Sequence, residues 1–349
     1  GYPTAEIDSP FDDPAGFVFG ENEDQNVIKT GSYVGNGSSS APPEIYLGWE
    51  PQWVMVKRTN GSGQDWVMVD TMRGMFVGNT NTPHLRANES NAEQDTSYYR
   101  IDVSSSTGFA PFTTDNGLNG DGDEYIYIAL RRPDGYVGKP VELGTDVFTT
   151  VVGTSSNDEP GLTSGFPVDF ALMRQPASSS DWWAGARLIQ GQYLETNKDN
   201  NQSGDGGQMY DYSDGFYASG GISDYNGWMW KRHAGFDVVA FQGTNQNNLK
   251  VRHSLNAVPE MIWLKNREAS EYWPVYHKGL NGGTNPEQYF LRLNTNAAET
   301  DYNEIWNDTA PTAVDFTVGI QGASNGADMG MIAMLFASVD GISKVGSYT

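Results

Sequence analysis

Cysteine is absent from the 349-residue sequence. That excludes a disulfide framework, a thiolate zinc site and a cysteine nucleophile, and it leaves the redox compartment unread. Basic residues are scarce as well. Lys and Arg number 21 against 44 Asp and Glu, a formal charge of −23. Such a surface repels phosphate backbones and anionic bilayers, so no nucleic acid and no membrane is expected as a partner. The longest mainly apolar run, Met329 to Val339, has 11 residues, against the roughly 20 that a spanning helix needs. No basic-then-apolar signal segment opens the sequence. It begins at Gly1 and stops at Thr349 in mid-motif, as a fragment or a processed product would. Long amphipathic helical patterns are also missing. Only Asn88 to Glu93 and Asn294 to Glu299 could each hold one helical turn, with Asn as cap and Glu near the first turn.

What remains is a strand-and-turn vocabulary. Runs of apolar, β-branched and aromatic residues are bounded by Gly, Asn, Asp, Ser and Pro. Hydrophobic residues make up 38% and aromatics 12%, and each ring buries enough area to offset the modest aliphatic content. The same aromatic content argues against disorder.

The runs recur three times in one order. A proline precedes an apolar run at Pro51, Pro167 and Pro259. A Trp-bearing strand follows at Trp66, Trp183 and Trp273. A Leu and Asn step comes next: LRANESNAE from Leu85 matches LRLNTNAAE from Leu291 at an offset of 206, and the middle copy keeps Leu194 and Asn197. A phenylalanine then enters a strand at Phe109, Phe216 and Phe316, and a last apolar strand exits at Gly135, Gly235 and Gly341. Proline to exit glycine measures 84, 68 and 82 residues, so the middle copy is trimmed in its loops. The order predicts an all-β protein of three tandem antiparallel β-sandwiches, jelly-roll-like in size and content. Residues 1–25 read as an arm or linker, 26–135 as the first sandwich, 136–235 as the second and 236–349 as the third. SKVGSYT from Ser343 repeats the opening of the first copy, IKTGSYVGNG from Ile28. It marks the start of a further repeat over 343–349 or else a strand completing the third sandwich. The joints RRPDGYVGKP and KRHAGFDVV are short, which predicts a semi-rigid, rod-like array. Strands such as Trp53-Val54-Met55-Val56 are apolar at every position, so their outer faces should meet a loop, a neighbouring sandwich or another subunit.

No set of residues demands catalysis. His84, His233, His253 and His277 are scattered and hold different places in their copies. Paired carboxylates could serve glycosidic acid/base chemistry, but Glu93 and Glu299 correspond to Gln202 in the middle copy, and Asp70 has no acidic counterpart in the third. Nucleotide-binding glycine motifs in a strand-to-helix setting are absent. Asn119, Asp121 and Asp123 alternate in DNGLNGDGDEY as a Ca2+ loop would. Glu124 and Leu130 depart from the EF-hand pattern, and a solvated hairpin turn explains the same residues. KDNNQSGDGG, from Lys198, reads as a mobile loop. Trp182, Trp183, Tyr193, Tyr210, Tyr212, Tyr217 and Tyr225 crowd the middle copy beside Asn, Asp and Gly. Trp182, Trp183, Tyr193, Tyr212 and Tyr225 are the candidates for stacking on sugar faces or for subunit contact; core filling is the competing role.

GSYVGNG, LGWEPQWVMVKR, the two joints, VYHKGLNGGTNPEQYFLRLN, WNDTAP and LFASVDGISKVGSYT together resemble repeat modules of virion-associated structural proteins of tailed, especially marine, bacteriophages. The likeness runs from about Gly16 onward. It implies a virion component, tail-fibre-like or capsid-attached, assembled in the host cytoplasm and contacting other virion proteins and copies of itself. It supplies no catalytic residue and no cofactor. Three functions follow as expectations: a non-enzymatic structural protein first, a carbohydrate-binding module for a host or environmental polysaccharide second, and a polysaccharide-degrading enzyme third.

Overall fold

A computed structural model describes residues 28–71, 75, 82–94, 99–105, 108–131, 143–154, 160–189, 191–204, 208–210, 212–218, 222–255 and 257–348. The arm expected over 1–25 and nearly all of the first joint lie outside these residues. The apolar runs form short antiparallel strands in three successive two-sheet units.

The first sandwich contains β1 (Ile28–Val34), β2 (Ile45–Tyr46), β3 (Pro51–Arg58), β4 (Val67–Asp70), β5 (Leu85–Arg86), β6 (Ile101–Ser105), β7 (Gly108–Pro111) and β8 (Glu124–Arg131). Its sheets have the orders β1-β8-β3-β4-β5 and β2-β7-β6. The second contains β9 (Phe148–Val152), β10 (Leu162–Thr163), β11 (Phe170–Arg174), β12 (Trp183–Ala186), β13 (Leu194–Glu195), β14 (Gln208–Met209), β15 (Gly215–Ala218) and β16 (Asn226–Trp230). Its orders, β9-β16-β11-β12-β13 and β10-β15-β14, repeat the first. The third contains β17 (Phe236–Gln242), β18 (Leu249–Arg252), β19 (Met261–Asn266), β20 (Pro274–His277), β21 (Tyr289–Arg292), β22 (Thr300–Asp301), β23 (Asp315–Val318) and β24 (Gly330–Phe336). Here β22 joins the large sheet, giving β17-β24-β19-β20-β21-β22 beside β18-β23. In every unit the first strand pairs with the last, and the last with the third.

The repeated residues occupy equivalent places. Pro51, Pro167 and Pro259 stand at or just before the central strand of each large sheet. Phe109, Phe216 and Phe316 are buried at the second position of β7, β15 and β23, opposite Ile45, Leu162 and Val251. The recurring Asn binds back to the Trp segment. Asn88, Asn197 and Asn294 each offer a side-chain oxygen to the backbone N–H of Trp66, Trp182 and Trp273, at 2.8, 3.0 and 3.2 Å. Two sequence expectations change as a result. The counterpart of Trp66 and Trp273 is Trp182, not Trp183. The stretches around Asn88 and Asn294 hold turns and no helix, because the Asn oxygens hold a neighbouring strand instead of capping their own N–H groups. Among the described residues two short α-helices form, α1 (Asn303–Trp306) and α2 (Gly322–Asn325).

One glycine position explains itself across all three units. Gly35, Gly153 and Gly243 end the first strand of each. A Cβ there would come within 2.3, 2.3 and 2.1 Å of the carbonyl oxygens of Gly120, Ile222 and Gly326, so only glycine lets the two loops meet.

Sandwiches two and three have cores of their own. Leu162, Val168, Met173, Tyr210, Phe216 and Met229 belong to one; Val239, Leu264, Phe290, Trp306, Phe316 and Leu335 belong to the other. A further cluster runs through all three units. It joins Val54, Val67, Phe109 and Tyr125 of the first to Phe170, Ala184 and Ala186 of the second and to Phe236, Val238, Trp273 and Met334 of the third. The expected stiffness of the array therefore comes chiefly from shared faces, and the units pack side against side instead of following one another as a rod. The apolar strand β24, and β17, which is apolar but for Asp237 and Gln242, are buried on both faces by this contact. In the first sandwich the outer face is more open: Ile28, Val34 and Ile126 are exposed there.

Candidate functional site

The interfaces between sandwiches concentrate the buried polar chemistry. At the junction of all three, Arg232 pairs with Glu50 of the first sandwich and lies 3.6 Å from Asp169 of the second. Its backbone N–H donates to Asp169 at 2.8 Å. Arg187 approaches the same carboxylate at 3.2 Å. Asp237, on the first strand of the third sandwich, accepts from the N–H groups of Val238 and Ser254 at 2.8 and 2.9 Å. Burial works against the Arg232 charge, but Glu50, Asp169 and Asp237 outweigh it and hold the guanidinium ionised above its usual range. Burial pushes the Asp237 carboxyl up to about 6, with Arg232 and the two N–H groups pulling the other way. These groups are about 5% exposed or less, Arg187 excepted. Enclosed in this way and facing one another across the sandwiches, they form a node that serves cohesion.

A second polar seam joins sandwiches two and three. Lys265 is fully buried and donates to the carbonyls of Glu271, Asp199 and Ala269 at 2.6, 3.0 and 3.3 Å. The Arg267 Nε donates to the Gln202 side chain at 2.8 Å, and the Gln202 N–H returns to the Arg267 carbonyl at 2.6 Å. The Trp273 indole N–H reaches the carbonyls of Glu195 and Lys198 at 3.1 and 3.2 Å. The loop from Lys198, expected to be mobile, is thus tied to the third sandwich through Asp199 and Gln202.

Beside this seam the large sheets of the second and third sandwiches part. They leave an open groove of about 740 Å3. Leu172 and Trp182, with Thr196 and Asn197, line one side. Trp263 and Leu293, with the run Asn294, Thr295 and Asn296, line the other. No ionisable side chain is among them. Packing fixes both indoles: Trp182 lies 5.2 Å from Trp228 and under the Arg174 guanidinium at 5.3 Å, and Trp263 lies 5.0 Å from Phe336.

The aromatic candidates separate here. Trp182 alone reaches the groove. Trp183 points to the other face of its sheet, stacks on Tyr193 at 4.9 Å, meets Tyr225 at 5.8 Å and packs on the core of its own sandwich. Adjacent residues of a strand point to opposite faces, so the Trp182-Trp183 pair could never act as one platform. Tyr212 does not line the groove. Trp263, which does, drew no notice in the sequence, and Asn296, which also does, stood there only inside the repeated LRLNTNAAE string. The alternation along β19 places Trp263 outward, but what the outer face meets is a tertiary matter.

The Ca2+ candidates hold other posts. Asn119 is fully buried; its oxygen accepts from the Asn36 N–H, and its amide donates to the Ser38 and Thr113 carbonyls, both at 2.9 Å. Asn325 does the same work in the third sandwich, offset again by 206 residues, between Thr244 and Gly319. Asp123 pairs with Arg58 at 2.5 Å, and Asp121 is exposed at the turn. Among the described residues no group of three or more His, Asp or Glu is placed to hold a metal ion. Glu299 accepts from the Asn281 N–H at 2.8 Å.

Three histidines close turns, each accepting at Nδ1 an N–H two residues on: Gly235 to His233, Leu255 to His253 and Gly279 to His277. Burial lowers His233 and His253 to about 4. Between about pH 4 and 6 the unfolded chain therefore holds two imidazole protons that the folded chain lacks, while the folded chain keeps one proton on Asp237. The balance makes stability rise with pH through this window, by about 1.4 kcal/mol per pH unit for each net proton. The urea midpoint measured from pH 4 to 7 is expected to climb. His253→Asn should flatten the climb, and Asp237→Asn should steepen it. A midpoint independent of pH would refute the assignment.

Three like-built units, packed against one another around buried charge, define a tandem β-sandwich protein. The chain belongs to the family described as Domain of unknown function (DUF7483), whose profile matches residues 13–132 and 219–349. The matched segments cover the first and third sandwiches. Most of the second falls between them, although its strand order is the same. No curated protein matches the chain.

Proposed function

We propose that this chain is a non-catalytic structural component of a bacteriophage particle, a tail-fibre-like or capsid-attached appendage that assembles with copies of itself and other virion proteins. The observation that carries the reading is the employment of the repeated residues. The Pro, Asn, Phe and Gly positions shared by the units start strands, tie loops or fill cores, and the buried carboxylates of the junction face Arg232 and backbone N–H groups. The resemblance of the long strings to phage virion repeat modules supports the biological setting. Two further features agree with it. The strong negative charge favours solubility of an exposed assembly. The apolar outer face of the first sandwich, with Ile28, Val34 and Ile126 exposed, offers a surface for subunit contact of the kind that already joins sandwiches two and three.

The test has two parts. Light scattering after size exclusion of the purified chain is expected to show an oligomer that Ile126→Lys dissociates. Gold-labelled antibody against the chain is expected to decorate the particles of the virus that encodes it. A strict monomer together with undecorated particles would sink the proposal.

A further inference from the structure

The geometry points to a binding site for an uncharged polysaccharide in the groove between sandwiches two and three, with Trp182 and Trp263 as stacking platforms. A pyranose ring has one face of C–H groups and a rim of hydroxyls. It asks for flat apolar surface with amides or hydroxyls at the edge. The groove supplies both. Trp182 and Leu172 face it from one sheet, Trp263 and Leu293 from the other. At its edge Asn294 has given its oxygen to the Trp273 N–H and keeps its amide hydrogens for a ligand, and Asn296 is exposed.

Three observations set the ligand class. The volume, about 740 Å3, lies within the roughly 300–1,000 Å3 of small-molecule sites, and the groove is open, so a polymer can pass through without an end being captured. Its lining residues carry no ionisable side chain, the nearest charge named being the Arg174 guanidinium over the Trp182 ring at 5.3 Å, although the chain as a whole carries −23. A neutral ligand meets no penalty there, whereas an acidic polysaccharide would approach against the field of the whole protein. The platforms are also held before any ligand arrives: Trp228 and Arg174 fix Trp182, and Phe336 fixes Trp263. Rings already in place lose little freedom on binding.

The groove also differs from its surroundings in how the repeat is used. Trp182 corresponds to Trp66 and Trp273. Trp273 is fully buried and directs its N–H into the second sandwich. Trp182 is half-buried along the groove. One repeated Trp closes the interface while its counterpart across the seam is left accessible. The site needs both sandwiches, so neither repeat alone contains it. The inference does not depend on the virion assignment, since it concerns the groove's chemistry alone.

The experiment uses the full chain on an array of neutral oligosaccharides (glucans, mannans, galactans and chitin fragments) with oligogalacturonate and sialylated glycans as acidic probes. The best binder is then titrated by calorimetry and tryptophan fluorescence. Neutral probes are expected to bind and to quench the indoles, and acidic ones are expected not to bind. Trp263→Ala and Trp182→Ala should each weaken binding tenfold or more. Thr295→Arg, at an exposed position of the lining, should abolish it while thermal unfolding stays at the wild-type midpoint. This variant keeps the test decisive if an indole deletion fails to fold. Absence of any neutral binder, preference for acidic glycans, or undiminished binding by Thr295→Arg would each overturn the proposal. Occupation of the groove by a peptide segment instead would appear as the first of these results.

Discussion

Arg232→Met is expected to lower stability by about 3–5 kcal/mol, the usual cost of removing one partner from a buried charge cluster. Arg232 is 4% exposed, and it faces Glu50 and Asp169 from different sandwiches. Met fills much of the volume but takes the Arg232 guanidinium from Glu50 and leaves Asp169 to Arg187. Urea unfolding followed by tryptophan fluorescence should show an earlier midpoint. Because the node joins three units, the transition should also broaden or split as they lose their common reason to unfold together. Adding Glu50→Gln should recover part of the loss, since the residual penalty is largely that of a stranded negative charge. A single variant with the wild-type midpoint would show that the node contributes nothing.

Trp273→Ala should cost a similar amount, about 3–5 kcal/mol, by cavity formation and lost packing. The indole is fully buried, and its N–H serves two carbonyls of the second sandwich. Trp273→Phe separates the contributions. It keeps most of the ring and removes the donor, so its effect should fall between wild type and Ala. The same urea titration reads both variants. Equal loss for Phe and Ala would mean that the hydrogen bonds, and not the packing, hold the seam. No loss in either would mean that sandwiches two and three do not depend on each other.

These two side chains also mark where sequence reading succeeds and stops. Trp273 was visible as a member of a repeated Trp set, and its strand was legible from the flanking alternation. Its burial partner was not, because Glu195 and Lys198 lie more than 70 residues away along the chain. Arg232 sits in KRHAG, which reads as part of a short joint between sandwiches. Nothing local distinguishes a charge that will stay in water from one that three sandwiches will enclose. The Asn119 loop misled in the opposite sense. Its alternating oxygens suggest a cation, yet the buried amide saturates backbone groups of neighbouring loops, and only the matching bonds of Asn325 reveal that as a feature of the repeat.

The amino-acid sequence by itself determined the all-β class, the threefold repetition and the order of strands around proline, tryptophan, phenylalanine and glycine. Alternation and turn chemistry act over a few residues, and repetition multiplies their signal. The tertiary structure alone decided which faces meet, which of two adjacent tryptophans reaches the groove, and which charges lose their water. Those outcomes depend on contacts between sheets distant along the chain, where the free energy comes from shared burial and not from any one segment's own preference.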